Sequence, residues 1–282
     1  MSSEQAILSN FIESIAKELS SNDLIFPSFP DITMRIRAML NDPNVSAGEI
    51  AKIVGTEPVL SAQLLRLSNS AALCAGCHPV TDLPTAIKRL GHALVRNAAI
   101  ALGIRQLAHA SNQVIMQIPL EKLWKHSIQV AALSYVLAKK QTGINPDTAM
   151  LAGLLHDIGM FYILTHTNKY PDLFADAATI KGIPLQTHAQ ISSAILESWD
   201  IPEDIISAAC DHEMLSRIHY APADLTDIVM AANILAKRGL PKETEWPALP
   251  SAFGRLNLDA ATCAAVLLKS EQEIAQITQI LG

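Results

Sequence analysis

The sequence predicts an all-α protein, and three observations carry that prediction. Apolar residues recur at three- and four-residue intervals through most of the chain, the period of an amphipathic helix. Valine, threonine and aromatic residues never build an alternating strand, and aromatics make up only 5% of the residues. The apolar half of the composition is rich in alanine and leucine, which favour helix by intrinsic propensity as well as by pattern.

The elements follow in order. MSSEQAILSNFIESIAKEL reads as an amphipathic helix and lacks the basic start and continuous apolar run of a targeting segment. PSFPDITMRIRAMLNDP is a helix between two proline-bounded turns. VSAGEIAKIVGTEP and PVLSAQLLRLSNSA form a pair of short helices, and HPVTD is a turn. LPTAIKRLG and HALVRNAAIALGIRQLAHA follow, with a break at Gly91. A polar patch from Ser111 to Pro119 closes a first helical part, residues 1–118. The second part, residues 119–282, opens with LEKLWKHSIQVAALSYVLAKKQTG, closed by Gly143. NPDTAMLAGLLHDIGMFYILTH reads as one helix, opened by Asn145, Pro146 and Asp147. Beyond a loop with Pro171 lie helices in IPLQTHAQISSAILESWDIP, PEDIISAACDHEM and TDIVMAANILAKRG. A proline-rich loop around Trp246 to Pro250 precedes the last helical stretch, and no repeat of fixed period is visible.

Composition narrows the function classes. Half the residues are apolar and 17% are charged, the balance of a folded globular protein. The net charge of −6, from 21 basic and 27 acidic residues, argues against a general nucleic-acid binder. No run reaches the roughly 18 uncharged apolar residues of a membrane span, so no membrane is expected. Four cysteines in 282 residues do not make a disulfide framework, and the cytoplasm is the simplest location. Two local patterns lead nowhere. CAGCH, Cys74 to His78, has the spacing of a haem attachment motif, but attachment requires export and no export signal is visible, so no haem is expected. VSAGEIAKIVGTEPVLSAQLLRL looks like a helix-turn-helix, yet its second helix begins Val59, Leu60, Ser61 where base-reading side chains should stand. Packing of small helices explains it better.

The chemistry lies in polar residues where carbon is expected. His156 and Asp157 interrupt the apolar series Leu151, Leu154, Leu155, Ile158, Phe161. Neighbours on a helix point about 100° apart, so both can converge on an ion between them. A buried carboxylate needs a partner, and a metal or a hydrogen-bonded pair would serve. His126 sits mid-helix among apolar residues, His188 near a helix start, His212 at a helix end, and Asp227 at the opening of TDIVMAANILAK. Each has a plain alternative: His126 as a core histidine, His188 facing water, Asp227 as a helix cap. Together, four imidazoles and two carboxylates form a ligand set for zinc, iron, manganese or nickel, enough for one or two ions.

The order His126, His156-Asp157, Asp227 resembles the HD superfamily of metal-dependent phosphohydrolases. LWKHSIQVAALSYVLAKK, AGLLHDIGMF and THAQISSAILESWDIPEDIISAACDHE resemble the second half of an HDOD domain, an HD-related output domain of bacterial signalling proteins. FPSFPDITMRIRAMLNDPNVSAGEIAKIVGTEPVLSAQLLRLSNSAA and PVTDLPTAIKRLGHALVRNAAIALGI resemble its first half, so the likeness spans about Asp23 to Arg238. The resemblance implies an all-α, HD-like helical bundle acting as a signalling or regulatory module, with protein partners and a divalent transition metal. His126, His156, Asp157 and Asp227 would be metal ligands, and His188 and His212 match extra histidines of the two-metal HD-GYP relatives, which hydrolyse cyclic di-GMP. The chain departs from those relatives at three places. Lys122 stands one turn before His126 in place of a glutamate, Asp211-His212-Glu213 replaces His-His-Glu, and MLSRIHYAP lacks the Gly-Tyr-Pro signature. The alternative activity is phosphoester hydrolysis on a phosphorylated small molecule or nucleotide, with Asp157 orienting water and Lys122 neutralising phosphate.

Overall fold

The computed structural model describes residues 31–40, 42, 44–70, 78–109, 114–166, 185–199, 201–242, 244 and 249–281, with positions 11, 13, 14 and 17 before them. The N-terminal helix as a whole, Cys74, Cys77, Pro171 and Trp246 lie outside the described residues. The described elements are helices throughout, as the apolar period predicts: α1 Asp31–Leu40, α2 Ala47–Val54, α3 Pro58–Ser68, α4 Leu83–His109, α5 Val114–Gln141, α6 Pro146–Leu155, α7 Ile158–His166, α8 Leu185–Ser198, α9 Glu203–Asp211, α10 Leu225–Arg238, α11 Ser251–Arg255, α12 Ala260–Lys269 and α13 Glu271–Leu281. No strand occurs among the described residues.

Local chemistry sets most of the boundaries. Ser46 caps α2 and exchanges hydrogen bonds with Glu49 in a capping box. Asn145 accepts from the backbone N–H groups of Asp147 and Thr148, and Pro146 occupies the first turn of α6. Asp224 and Asp227 form a reciprocal capping box at the start of α10. Gly91 adopts φ 76°, ψ 162°, a conformation open to glycine, and there α4 bends as the sequence predicts.

Two boundaries differ from the sequence reading. Pro119 lies inside α5 rather than before it. It falls in the second turn of that helix and costs a single backbone hydrogen bond close to an end where donors are already unpaired. The stretch read as one helix from Asn145 is two, α6 and α7, parted at His156 and Asp157. The Asp157 carbonyl accepts the N–H groups of Met160 and Phe161 and so begins the second helix. The same stretch, Pro146–Thr165, is after all long and apolar enough to cross a membrane by composition, but 83% of its apolar window is buried inside the fold. Its apolarity is that of a core helix.

Buried side chains form two clusters. The first joins α1 to α4 through Ile36, Ile50, Val54, Leu60, Leu64 and Leu102, which accounts for the helix-turn-helix-like pair as packing. The second and larger runs from Ile100 and Ile104 through α5, α6, α7 and the helices beyond. α4 contributes to both, and Leu94 packs against each.

Two glycines bring the helices of the larger core together. A Cβ on Gly153 of α6 would lie 2.7 Å from Ser134 Oγ and 2.9 Å from Ala131 Cα of α5. A Cβ on Gly159 of α7 would lie 2.1 Å from the carbonyl oxygen of His188 in α8. The Gly159 N–H donates to Ser192 Oγ at 3.0 Å, which fastens the same contact. Gly153→Ala and Gly159→Ala are each expected to lower stability by about 1–3 kcal/mol through overpacking. Gly254→Ala, at an open position, should change little. Thermal unfolding of the three variants tests the difference.

Candidate metal centre

The break between α6 and α7 points His156 and Asp157 toward α5, α8, α9 and α10. His156 is fully buried and Asp157 is 8% exposed. His156 Nε2 lies 3.1 Å from Asp157 Oδ2 and 3.3 Å from His126 Nε2, which comes from the middle of α5. On the other side, His212 Nε2 lies 3.5 Å and His188 Nε2 3.9 Å from Asp157 Oδ1. Each carboxylate oxygen therefore faces its own pair of imidazoles. The ligand atoms of His126, His156 and Asp157 lie within 4.8 Å of one another, and so do those of Asp157, His188 and His212.

The histidines are held for this arrangement. His156 Nδ1 donates to the Gly153 carbonyl and His212 Nδ1 to the Ala209 carbonyl, both at 2.8 Å. A carbonyl only accepts, so the proton sits on Nδ1 and the Nε2 lone pair faces the cluster. His126 Nε2 is 2.9 Å from Asn233 Oδ1 of α10.

Several buried atoms of the cluster have no hydrogen-bond partner. They are both ring nitrogens of His188, Nε2 of His212 and Oε2 of Glu213. Buried polar atoms are rarely left this way, and two of these, His188 Nε2 and His212 Nε2, face Asp157 Oδ1. The 3.3 Å separation of His126 Nε2 and His156 Nε2 also matches a tetrahedral edge with metal–nitrogen bonds of roughly 2.0–2.1 Å. The donor set, imidazoles around a carboxylate, fits a divalent transition metal.

The electrostatics fit a cationic guest. Burial opposes charge on Asp157, but His156 and His212 beside it hold the carboxyl well below the usual range. Burial and the neighbouring His156 push His126 down to about 4. Burial likewise lowers His188. The cluster thus presents an ionised carboxylate beside the two imidazoles, His126 and His188, that burial keeps from charging.

The two remaining predicted residues are not part of it. Asp227 lies six residues before Asn233 on α10, roughly 9 Å along the helix axis. Its carboxylate is already taken. Arg255 Nε donates to Oδ2 at 2.9 Å, Arg255 Nη2 reaches Oδ1, Arg217 Nη1 lies 3.3 Å from Oδ1, and His219 Nε2 lies 3.1 Å from Oδ2. Asp227 also accepts the Asp224 N–H at 3.1 Å, as the partner inside the first turn of a capping box whose N-cap is Asp224, not Asp227. His219, Asp224 and Asp227 do bring ligand atoms together, but two guanidinium groups already neutralise that group. Lys122, one turn before His126 on α5, is exposed. The cation near the site is Lys237 of α10, whose charge acts on His126 and whose Nζ lies 2.8 Å from Glu213 Oε1. The sequence reading overlooked Asn233, Glu213 and Lys237. A buried amide inside IVMAANILA and a glutamate next to His212 were the available signals.

A helical bundle with imidazoles gathered around the aspartate of a His-Asp pair defines an HD-type fold. The chain belongs to the HDOD domain family, whose model matches residues 26–215. It is similar to a solved structure from Shewanella amazonensis SB2B named "Putative metal-dependent phosphohydrolase", at 24% identity and TM-score 0.76 over 100% of both chains. It is also similar to an HDOD domain protein of unknown function from Geobacter sulfurreducens, at 24% identity and TM-score 0.65, covering 95% of this chain and 97% of that one. An uncharacterized protein of Treponema pallidum (strain Nichols) is 25% identical over 272 residues, which cover 90% of this chain and 48% of that protein. The chain thus spans about half the length of this curated relative. At these identities the solved structures establish the fold.

Two outcomes follow from the geometry. His126 is neutral in the fold with its pKa at about 4 against an ordinary 6.5, so the unfolded chain takes up the proton first. The stability this gives is complete above about 6.5 and is lost as pH falls toward about 4, and the lowered His188 adds in the same direction. Urea unfolding of chelated protein between pH 7.5 and pH 5 should show the loss, with a shallower slope in His126→Gln. Asp227→Asn should cost about 1–3 kcal/mol by replacing the buried charged acceptor of Arg255 and Arg217 with a neutral amide that keeps one oxygen, while metal content stays as in the unaltered protein. Thermal unfolding with elemental analysis separates this outcome from a ligand role.

Proposed function

We propose that this HDOD module carries an HD-type metal centre built from His126, His156, Asp157, His188 and His212, and that the loaded centre serves a regulatory surface read by signalling proteins. The observation that supports it is the bridging posture of Asp157, one oxygen toward His126 and His156, the other toward His188 and His212. That posture suits two adjacent ions, drawn from iron, manganese, nickel or zinc by the donor types. Asn233 Oδ1, 2.9 Å from His126 Nε2, sets a neutral oxygen beside that position where a carboxylate would have added charge. The centre is nearly closed, with His156 and His212 fully buried. Such burial favours a structural or switching role over rapid turnover.

Phosphoester hydrolysis is the second reading, and one observation favours it. An open cleft of about 490 Å³ lined by His188, Cys210, Asp211 and Glu213 borders the cluster. A bound divalent ion supplies a lowered water pKa and polarisation of a phosphoryl oxygen. Of the chain's own residues, Asp157 would orient the water, and Lys237, whose charge acts on His126, would meet substrate phosphate in place of Lys122.

Elemental analysis of purified protein, before and after incubation with Mn, Fe, Ni or Zn, tests the centre. At least one metal is expected to bind, and His156→Ala should abolish uptake. No uptake by the unaltered chain would remove the metal reading. Loaded protein is expected to leave a broad phosphoester panel intact. Hydrolysis that vanishes in His156→Ala would instead establish the enzyme.

A further inference from the structure

A partly open cavity of about 200 Å³ lies where the two cores meet. Leu90 and Leu94 of α4 line it from one side, and Tyr135 of α5, Met150 of α6 and Ile277 of α13 from the other. None of the histidines of the metal cluster borders it, nor does Asp157. An apolar protein cavity of about 150 Å³ takes up benzene, so this space has room for one such ring with a short substituent. Three charged side chains reach the mostly apolar walls: Lys139, Glu273 and Asp147. The first two satisfy each other, since Lys139 Nζ donates to Glu273 Oε1 and stands 5.5 Å from the centroid of the Tyr135 ring. Asp147 differs. Its backbone is used, the N–H by Asn145 Oδ1 at 2.8 Å and the carbonyl by Asn97 Nδ2 at 2.9 Å. Its carboxylate has no hydrogen bond or close ion pair among the described residues. The Arg96 charge acts on it from α4, yet burial outweighs that charge and raises the carboxyl above its usual range. Ser70 Oγ, also on the cavity wall, is buried without a hydrogen-bond partner.

We propose that this cavity binds a small protonated amine carried on a ring, with the ring against Leu90, Leu94 and Met150 and the ammonium on the carboxylate of Asp147. An ammonium brings three donors to a site that offers a carboxylate and a spare hydroxyl. The lining carries one net negative charge, which selects a cation over an anion of the same shape. The site does not depend on the metal reading. Its walls come from both cores, and α6 runs from Asp147 to the cap at His156, so an occupant gives the module a small-molecule input at the opposite end of the helix that leads to the His-Asp pair.

The test is titration of chelated full-length protein with benzylamine, benzyl alcohol and benzoate, read by calorimetry and by thermal unfolding. Benzylamine is expected to bind saturably at a single site and to raise the unfolding temperature. Benzyl alcohol should bind about tenfold more weakly, and benzoate should not bind. Asp147→Asn should weaken benzylamine by about tenfold or more and leave benzyl alcohol unchanged. Ile277→Trp, which fills the cavity from the last helix, should abolish both, with circular dichroism to verify that each variant retains its helices. No saturable uptake of benzylamine by the unaltered chain would overturn the site. So would uptake that persists in Ile277→Trp, and undiminished benzylamine binding in Asp147→Asn would overturn the role of the carboxylate and with it the amine.

Discussion

A charged carboxylate buried among four imidazoles is the constraint around which this chain is arranged. Asp157 is nearly inaccessible, and burial alone would make its negative charge costly. The surrounding helices are therefore committed to presenting nitrogen to it. α5 supplies His126, the α6–α7 junction His156, α8 His188, and the end of α9 His212. Carbonyls of Gly153 and Ala209 hold two of the rings by their far nitrogens, so the near nitrogens are left with lone pairs. Nothing in that arrangement works unless the backbones come close, and the absence of side chains at Gly153 and Gly159 permits it.

Much of this was legible in the amino-acid order. Periodicity gave the helical class, and polar residues in apolar runs marked His126, His156 and Asp157. The pairing of α6 with α7 was not legible, because Leu154, Leu155, Ile158 and Phe161 continue a helical period straight across the break. The interruption is a matter of backbone hydrogen bonding at Asp157 and of tertiary approach at Gly159, neither of which leaves a periodic trace.

The reading of α10 failed for a different reason. A search for ligands looks for charge, and Asp227 is the charged residue at its start. Helix register carries Asp227 to the loop side, where Arg217 and Arg255 use it as an anchor. The residue of α10 that reaches His126 is an uncharged amide. The apolar run IVMAANILA around Asn233 was its one trace in the sequence, and its 3% exposure belongs to the assembled fold.

The bend at Gly91 has a mechanical meaning. Past it, α4 lends Val95, Ala98, Ala99 and Leu102 to one core, and Ile100, Ala101 and Ile104 to the other. Asn97 on the same segment donates to the Asp147 carbonyl at the head of α6, at 2.9 Å. The segment behaves as a shared axle. Any rolling of α1–α3 about it would be felt at the helix whose far end carries the His-Asp pair.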